Sequence, residues 1–131
     1  MAKKFEKIVL ESGLEPYDKS VNKGYWRILL YRESKVTKQV LVCIVVSKKT
    51  EDNNDIEPLS EKLREDLVSE FKEGTVIGDK GFVICSLSMI HSIDLSGGYK
   101  EGDDWEILSG KGHYEEMLCG LKFTVSPFAF F

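Results

Sequence analysis

Val40-Leu41-Val42-Cys43-Ile44-Val45-Val46 is an unbroken apolar run, flanked by Lys38 and Gln39 before it and by Lys48 and Lys49 after it. Its length suits a strand buried on both faces better than a helix. The stretch before it, Tyr25 to Arg32, alternates imperfectly and is rich in aromatic and branched residues, which predicts a second strand. Glu33 to Lys38 is a short polar connection, so the two strands are expected to pair as a hairpin.

The rest of the pattern builds around this pair. Phe5, Ile8 and Val9 recur at helical spacing with Lys and Glu between them, and Gly13 follows, which predicts a helix over Lys3–Ser12. Pro16 to Lys23 is turn-rich, and Lys48 to Asp55 reads as an exposed charged loop. Pro58 suits the first position of a helix, where its missing N–H costs nothing. Leu59, Leu63, Leu67 and Phe71 then recur every fourth residue, and Gly74 fits the place just past the end. Val83 to Ile90 is a third strand, Asp94 to Asp104 a loop, and Trp105–Leu108, Glu116–Cys119 and Leu121–Val125 are three short strands punctuated by Gly110, Gly112 and Gly120. The order α-β-β-α-β-β-β predicts an α+β fold, a mostly antiparallel sheet with two helices packed on one face. At 131 residues, 42% of them apolar, the chain is the size of a single domain, 1–131, with enough apolar material for a core.

Charge and chemistry narrow the function. The net charge is −4, whereas a free-standing nucleic-acid binder usually carries a basic excess. Cys43, Cys85 and Cys119 are far apart and form no CxxC pair, which leaves zinc-ribbon and iron–sulfur sites without ligands. They read as buried free thiols, suited to a reducing compartment. His91 and His113 lie near Asp94 and near Glu115 and Glu116, but neither forms a spaced ligand pair, so no metal site is expected. Gly97-Gly98 and Gly110-x-Gly112 lack the spacing of a phosphate loop and read as turns. No nucleophile–base constellation is visible, which counts against an independent small enzyme. The start, Met1-Ala2-Lys3-Lys4, leads into an amphipathic helix pattern and not an apolar leader, and no apolar run approaches a membrane span. An intracellular protein, cytoplasmic or nuclear, with no membrane partner is the expectation.

Two features point toward RNA. Arg27 and Arg32 lie on the first strand among Tyr25, Trp26 and Tyr31, and arginines with aromatics can contact phosphate and stack on bases. Their odd spacing places them on opposite faces of an ideal strand, so one alone is expected to face solvent. The alternative for this stretch is an edge strand with snorkelling arginines and a buried Trp. The other feature is Val125-Ser126-Pro127-Phe128-Ala129-Phe130-Phe131, with three phenylalanines in its last four positions. A segment this apolar either docks into the domain or lies against something further along a longer protein; the latter is the expectation.

Gly120-Leu121-Lys122-Phe123-Thr124-Val125-Ser126-Pro127-Phe128-Ala129-Phe130-Phe131 resembles a segment shared by the AdoMet-dependent RNA uracil-5-methyltransferases, where it runs roughly G-x-x-F-x-I-S-P-x-x-F-F-Q-x-N. Gly120, Phe123, Ser126, Pro127, Phe130 and Phe131 carry the match, and Glu115-Glu116-Met117-Leu118 is similar to the strand before it. Ser12-Gly13-Leu14-Glu15-Pro16-Tyr17-Asp18 and Arg27-Ile28-Leu29-Leu30-Tyr31-Arg32-Glu33-Ser34 look like the segment that opens the family's central domain, with the eukaryotic tRNA enzymes as the expected nearest relatives.

The resemblance implies a role. Members transfer a methyl group from AdoMet to C5 of a uridine, commonly in tRNA, using a cysteine nucleophile and a glutamate base beyond the matched segment. None of Cys43, Cys85 and Cys119 matches the catalytic motif. By this resemblance the chain is a central domain that positions substrate, with residues 126–131 leading into a Rossmann-like catalytic domain in cis that holds S-adenosyl-L-methionine. No catalytic, cofactor-binding or metal-binding residue is then expected in the chain itself, and tRNA is the partner of the full-length enzyme. Phe130 takes the position of the aromatic that lies near the flipped base in relatives, so Arg27, Arg32 and Phe130 are the candidate RNA-binding residues. The alternative is a free-standing α+β protein-interaction module without enzymatic activity.

Overall fold

The computed structural model describes residues 2–18, 20–21, 23–49, 56, 59–93 and 98–129. The described elements run α1 (Ala2–Ser12), β1 (Trp26–Glu33), β2 (Gln39–Ser47), α2 (Glu61–Phe71), β3 (Val76–Ile77), β4 (Phe82–Ser92), β5 (Asp104–Gly110), β6 (Tyr114–Leu118) and β7 (Leu121–Val125). The apolar run has become an inner strand of the main sheet, whose order is β1-β2-β4-β3, with β5 also pairing to β4. Val40 to Val46 are all fully buried.

A strand buried on both faces needs a layer on each side. Val40, Val42, Ile44 and Val46 pack with Ile8, Phe5 and Val9 of α1 and with Leu63, Leu67 and Phe71 of α2. Both helices therefore lie on one face, as the pattern predicts. Leu41, Cys43 and Val45 look the other way, toward Ile28 and Leu30 of β1, Tyr114 of β6, Val125 of β7, and Tyr99, Phe128 and Ala129. That second layer is made by the separate two-stranded sheet of β6 and β7 together with the chain beyond it. Each fully buried Leu, Ile or Val contributes about 1.5–3 kcal/mol, so β2, with seven buried apolar residues in succession, contributes more of the apolar driving force than any other described strand or helix.

The expected hairpin is present: β1 and β2 pair antiparallel from Glu33↔Val40 to Ile28↔Val45. The expectation of a mostly antiparallel sheet needs correction. β2 and β4, the two longest strands, pair parallel from Gln39↔Val83 to Ser47↔Ser92, so the main sheet is mixed. The reason lies in the connection. A parallel neighbour requires a crossover of a dozen or more residues, and α2 occupies the crossover between β2 and β4.

The start of α2 also shifts. Its N-cap is Ser60, whose hydroxyl accepts from the Leu63 N–H at 3.3 Å, so the helix opens at Glu61. An N-cap hydroxyl satisfies one of the orphan donors of the first turn, and this fixes the start three residues after Pro58, which lies outside the described residues. Leu59 is buried just ahead of the cap, while Leu67 and Phe71 seat the helix on the sheet. The two-residue β3 is not expected from the sequence; it is too short to carry a period. Where β4 meets β2 the register shifts between Val40 and Leu41, which leaves Cys85 as an extra residue. Gly110 crosses this point with φ +82, and a Cβ there would lie 2.1 Å from the Cys85 carbonyl oxygen, so no other residue fits.

Leu67 is fully buried at the centre of the helix–sheet contact. Leu67→Ala should lower the unfolding free energy by about 2–5 kcal/mol, the range for truncating a buried leucine. Chemical denaturation measures this, and an unchanged midpoint would mean that α2 does not face the sheet.

Candidate nucleic-acid interface

β1 is the edge strand of the main sheet, and Trp26 at its start is buried. Phe5 and Tyr25 both meet the Trp26 ring edge to face, at 5.6 and 5.0 Å, and the indole N–H donates to Ser12 Oγ at 3.1 Å. The register of β1 against β2 shifts between Trp26 and Ile28, so Arg27 is the extra residue of a bulge. This breaks the alternation from which opposite facings for Arg27 and Arg32 were expected. Arg27 donates from Nε to Ser47 Oγ at 2.8 Å and from Nη1 to the Gly98 carbonyl at 3.1 Å, and its guanidinium lies 4.5 Å from the Tyr17 ring centre. Arg32 donates from Nη1 to the Ala129 carbonyl. Both arginines thus reach the side of the sheet where residues 98–99 and 126–129 pack, and both are partly buried.

The segment after β7 docks onto the domain as far as Ala129. Ser126 to Ala129 form a turn closed by the Ala129 N–H to the Ser126 carbonyl at 3.1 Å, with Pro127 at the position where its fixed φ is favoured. The Phe128 N–H donates to Ser126 Oγ at 3.3 Å. Pro127 is buried, and Phe128 is met edge-on by Tyr99 at 6.0 Å and by Trp105 at 5.5 Å. The Tyr99 hydroxyl donates to the Pro127 carbonyl at 2.6 Å. The expectation that this apolar tail is left for something beyond it is therefore corrected for 126–129. Phe130 lies outside the described residues. Tyr99 and Trp105 were not singled out from the sequence, because each sits in or beside a stretch that reads as loop or short strand. The signal was the aromatic spacing itself, which meets Phe128 only in three dimensions.

The thiols divide. Cys43 is fully buried, and burial pushes its pKa up to about 11. Cys85, half-buried at the bulge, is also raised by burial, and its single S–H lies between the Val40 and His113 carbonyls, with the sulfur 3.3 and 3.2 Å from their oxygens. Cys119 differs from expectation. It is exposed in the two-residue turn between β6 and β7, with φ +52 beside Gly120 at φ +76, the pairing of a primed hairpin turn. A nucleophilic thiol needs a lowered pKa, and burial drives Cys43 and Cys85 the other way. Among the described residues no group of three or more His, Cys, Asp or Glu is arranged to hold a metal ion, and no described helix is long and apolar enough to cross a membrane.

His91 takes part in a polar network with Glu106 and Arg64. Glu106 of β5 accepts from Arg64 of α2 through one oxygen and lies 3.3 Å from His91 Nε2 through the other. The pair ties α2 to the sheet. The ends of β2 and β5 are joined in the same region by Lys48 and Asp104. Buried Tyr25 feels both Arg64 and Glu106, and burial raises its pKa to about 12.

No known family profile matches the chain. An uncharacterized RNA methyltransferase of Caldanaerobacter subterraneus subsp. tengcongensis is 27% identical to it over 131 aligned residues, an alignment that covers 93% of this chain and 24% of the relative. The chain thus spans about a quarter of that protein's length. The similarity supports an RNA methyltransferase-related domain, and it lends no support to the expected closeness to eukaryotic tRNA enzymes.

Glu106 yields a test of the network. Burial pushes its carboxyl up, but the hydrogen bonds and charges of Arg64 and His91 outweigh that and leave it below its ordinary value of 4.5. A carboxylate held below its unfolded value stabilises the fold above that value, and the contribution is lost as pH falls through the folded pKa. Glu106→Gln should therefore lower stability at pH 7 and flatten the fall in stability below about pH 4.5. Denaturation of both proteins across that window measures it; parallel curves would exclude Glu106 from the acid response.

Proposed function

We propose that this chain is the substrate-positioning and scaffolding domain of an AdoMet-dependent tRNA uridine C5-methyltransferase. In this reading the catalytic residues and the cofactor site sit in a Rossmann-like domain of the same polypeptide. The observation that carries it is the similarity along 93% of the chain to a stretch making up 24% of an RNA methyltransferase, a proportion suited to one domain of a larger enzyme. The motif from Gly120 to Phe131 supports the finer assignment to uridine C5 chemistry. S-adenosyl-L-methionine supplies the methyl group in such an enzyme, and the protein is intracellular.

Arg27, Arg32 and Phe130 are the proposed RNA contacts. The guanidinium groups of Arg27 and Arg32 reach the Gly98 and Ala129 carbonyls, respectively. Phosphate contact by Arg positions an RNA without reading its sequence. An aromatic at Phe130 offers a stacking surface to replace the neighbours of an extruded base. The net charge of −4 means that the domain alone contributes little of the electrostatic attraction.

The second reading, an interaction module without enzymatic activity, has one observation in its favour. Leu118, Leu121 and Phe123 of the β6–β7 hairpin are 54%, 62% and 38% exposed, more apolar surface than a hairpin needs in water.

Labelled AdoMet and tRNA decide between them. The chain of 131 residues should transfer no methyl group and should bind tRNA at best with Kd of about 10⁻⁴–10⁻⁶ M at physiological salt. The full-length protein should methylate a uridine at C5. In it, Arg27→Ala or Arg32→Ala should weaken tRNA binding and reduce the salt slope by about one. Phe130→Ala should slow methylation more than it weakens binding. Turnover by the 131-residue chain alone, or a full-length protein that neither binds nor methylates RNA, would overturn the proposal.

A further inference from the structure

The carbonyls of the turn at Ser126–Ala129 are held by two side chains from distant parts of the chain. Tyr99 Oη donates to the Pro127 carbonyl at 2.6 Å across 28 residues, and Arg32 Nη1 donates to the Ala129 carbonyl across 97 residues. The side chain between the two gripped carbonyls, Phe128, is wedged edge-on between Tyr99 and Trp105. Beneath them Gly112, with φ +82, is buried; a Cβ there would come within 2.7 Å of Ile107 and 3.1 Å of Trp105, so the site leaves room for the Trp105 ring and nothing more.

An interior turn normally needs only its own hydrogen bonds. Here the Ala129 N–H to Ser126 carbonyl bond and the Phe128 N–H to Ser126 Oγ bond already close it. Arg32 and Tyr99 therefore add nothing to the turn's shape. They fix its place and direction relative to β1 and to the loop before β5. A charge-assisted hydrogen bond from a rigid guanidinium is the stronger and more directional kind.

We infer that Arg32 and Tyr99 are positioning residues that fix the place of the Ser126–Ala129 turn, and with it Ala129, the residue to which the aromatic proposed to contact RNA is bonded. The inference rests on the proposed function for its consequence in catalysis, but not for the clamp itself. It gives Arg32 a role distinct from phosphate contact. It also assigns a role to Tyr99, which meets Phe128 edge-on.

The test uses the full-length protein and two readouts. Tyr99→Phe removes one hydroxyl and keeps the ring against Phe128, and Arg32→Lys keeps the charge while losing the planar fork. Hydrogen exchange, followed in peptides covering residues 126–129, needs neither RNA nor cofactor. Tyr99→Phe and Arg32→Ala should each speed exchange of the Phe128 and Ala129 amides by roughly 3- to 10-fold, the loss of one net hydrogen bond. Peptides from β2 should keep their protection, which shows that the fold is intact. Arg32→Lys should recover part of the protection lost in Arg32→Ala. Unchanged exchange at 126–129 with β2 protected would overturn the clamp, whatever the protein does with RNA. In the methylation assay, Tyr99→Phe should lower kcat about tenfold and leave KM for tRNA unchanged, because a displaced Ala129 misplaces the residue bonded to it without removing a contact to bound RNA. Faster exchange with an unaltered kcat in an active enzyme would overturn the positioning role. If the full-length protein methylates no RNA, the function proposed above fails, and exchange at 126–129 still decides the clamp.

Discussion

Seven consecutive apolar residues, Val40 to Val46, are removed from water on both faces of one strand, and the rest of the chain is arranged to make that possible. One face requires a helical layer, which α1 and α2 supply through Ile8, Leu67 and Phe71. The other face cannot be left to solvent, and the chain covers it with a separate hairpin and with the turn that follows. The parallel pairing with β4 is part of the same solution. A strand buried on both faces is best flanked by another long inner strand, and the crossover that reaches β4 in parallel carries α2 to where it is needed.

The polar groups obey the same constraint. Most strong cations near the sheet are already engaged: Arg64 by Glu106, Lys48 by Asp104, Arg32 by a backbone carbonyl, Arg27 by Ser47 and Gly98. This matches an acidic chain in which arginines serve first to join elements. Ser86 and Ser88 are the exceptions among described side chains. Their hydroxyls are buried on β4 with no hydrogen-bond partner, each costing about 1–3 kcal/mol unless a water reaches it.

The elements with a strong period were legible in the sequence. The apolar run gave β2 to within a residue at each end, the four-residue leucine series placed Leu67 and Phe71 correctly, and β7 was read over the same residues it occupies. What escaped depended on partners. Strand direction is not written in a strand's own alternation, although the strand–helix–strand order from β2 to β4 was the available sign of a parallel pair. The facing of Arg27 depended on a bulge set by the register against β2. The meeting of Tyr99, Trp105 and Phe128 depended on three segments converging, each unremarkable alone. Cys119 was misjudged because a turn at positive φ is normally left to glycine or asparagine, and here the first turn position is a cysteine.

The docking of Ala129 against Arg32 has a kinetic side. The bond spans 97 residues, and the contact of Arg27 with Gly98 spans 71. Contacts this far apart are made after the local ones, because the chain between must be ordered first and loop closure costs entropy. During synthesis the β1–β2 hairpin and α1 emerge early, with Leu41, Cys43 and Val45 bare on one side. That side is sealed only when Tyr114, Val125 and Phe128 have left the ribosome, so the nascent domain carries a naked apolar stripe until then, the kind of surface on which chaperones act and from which aggregates grow.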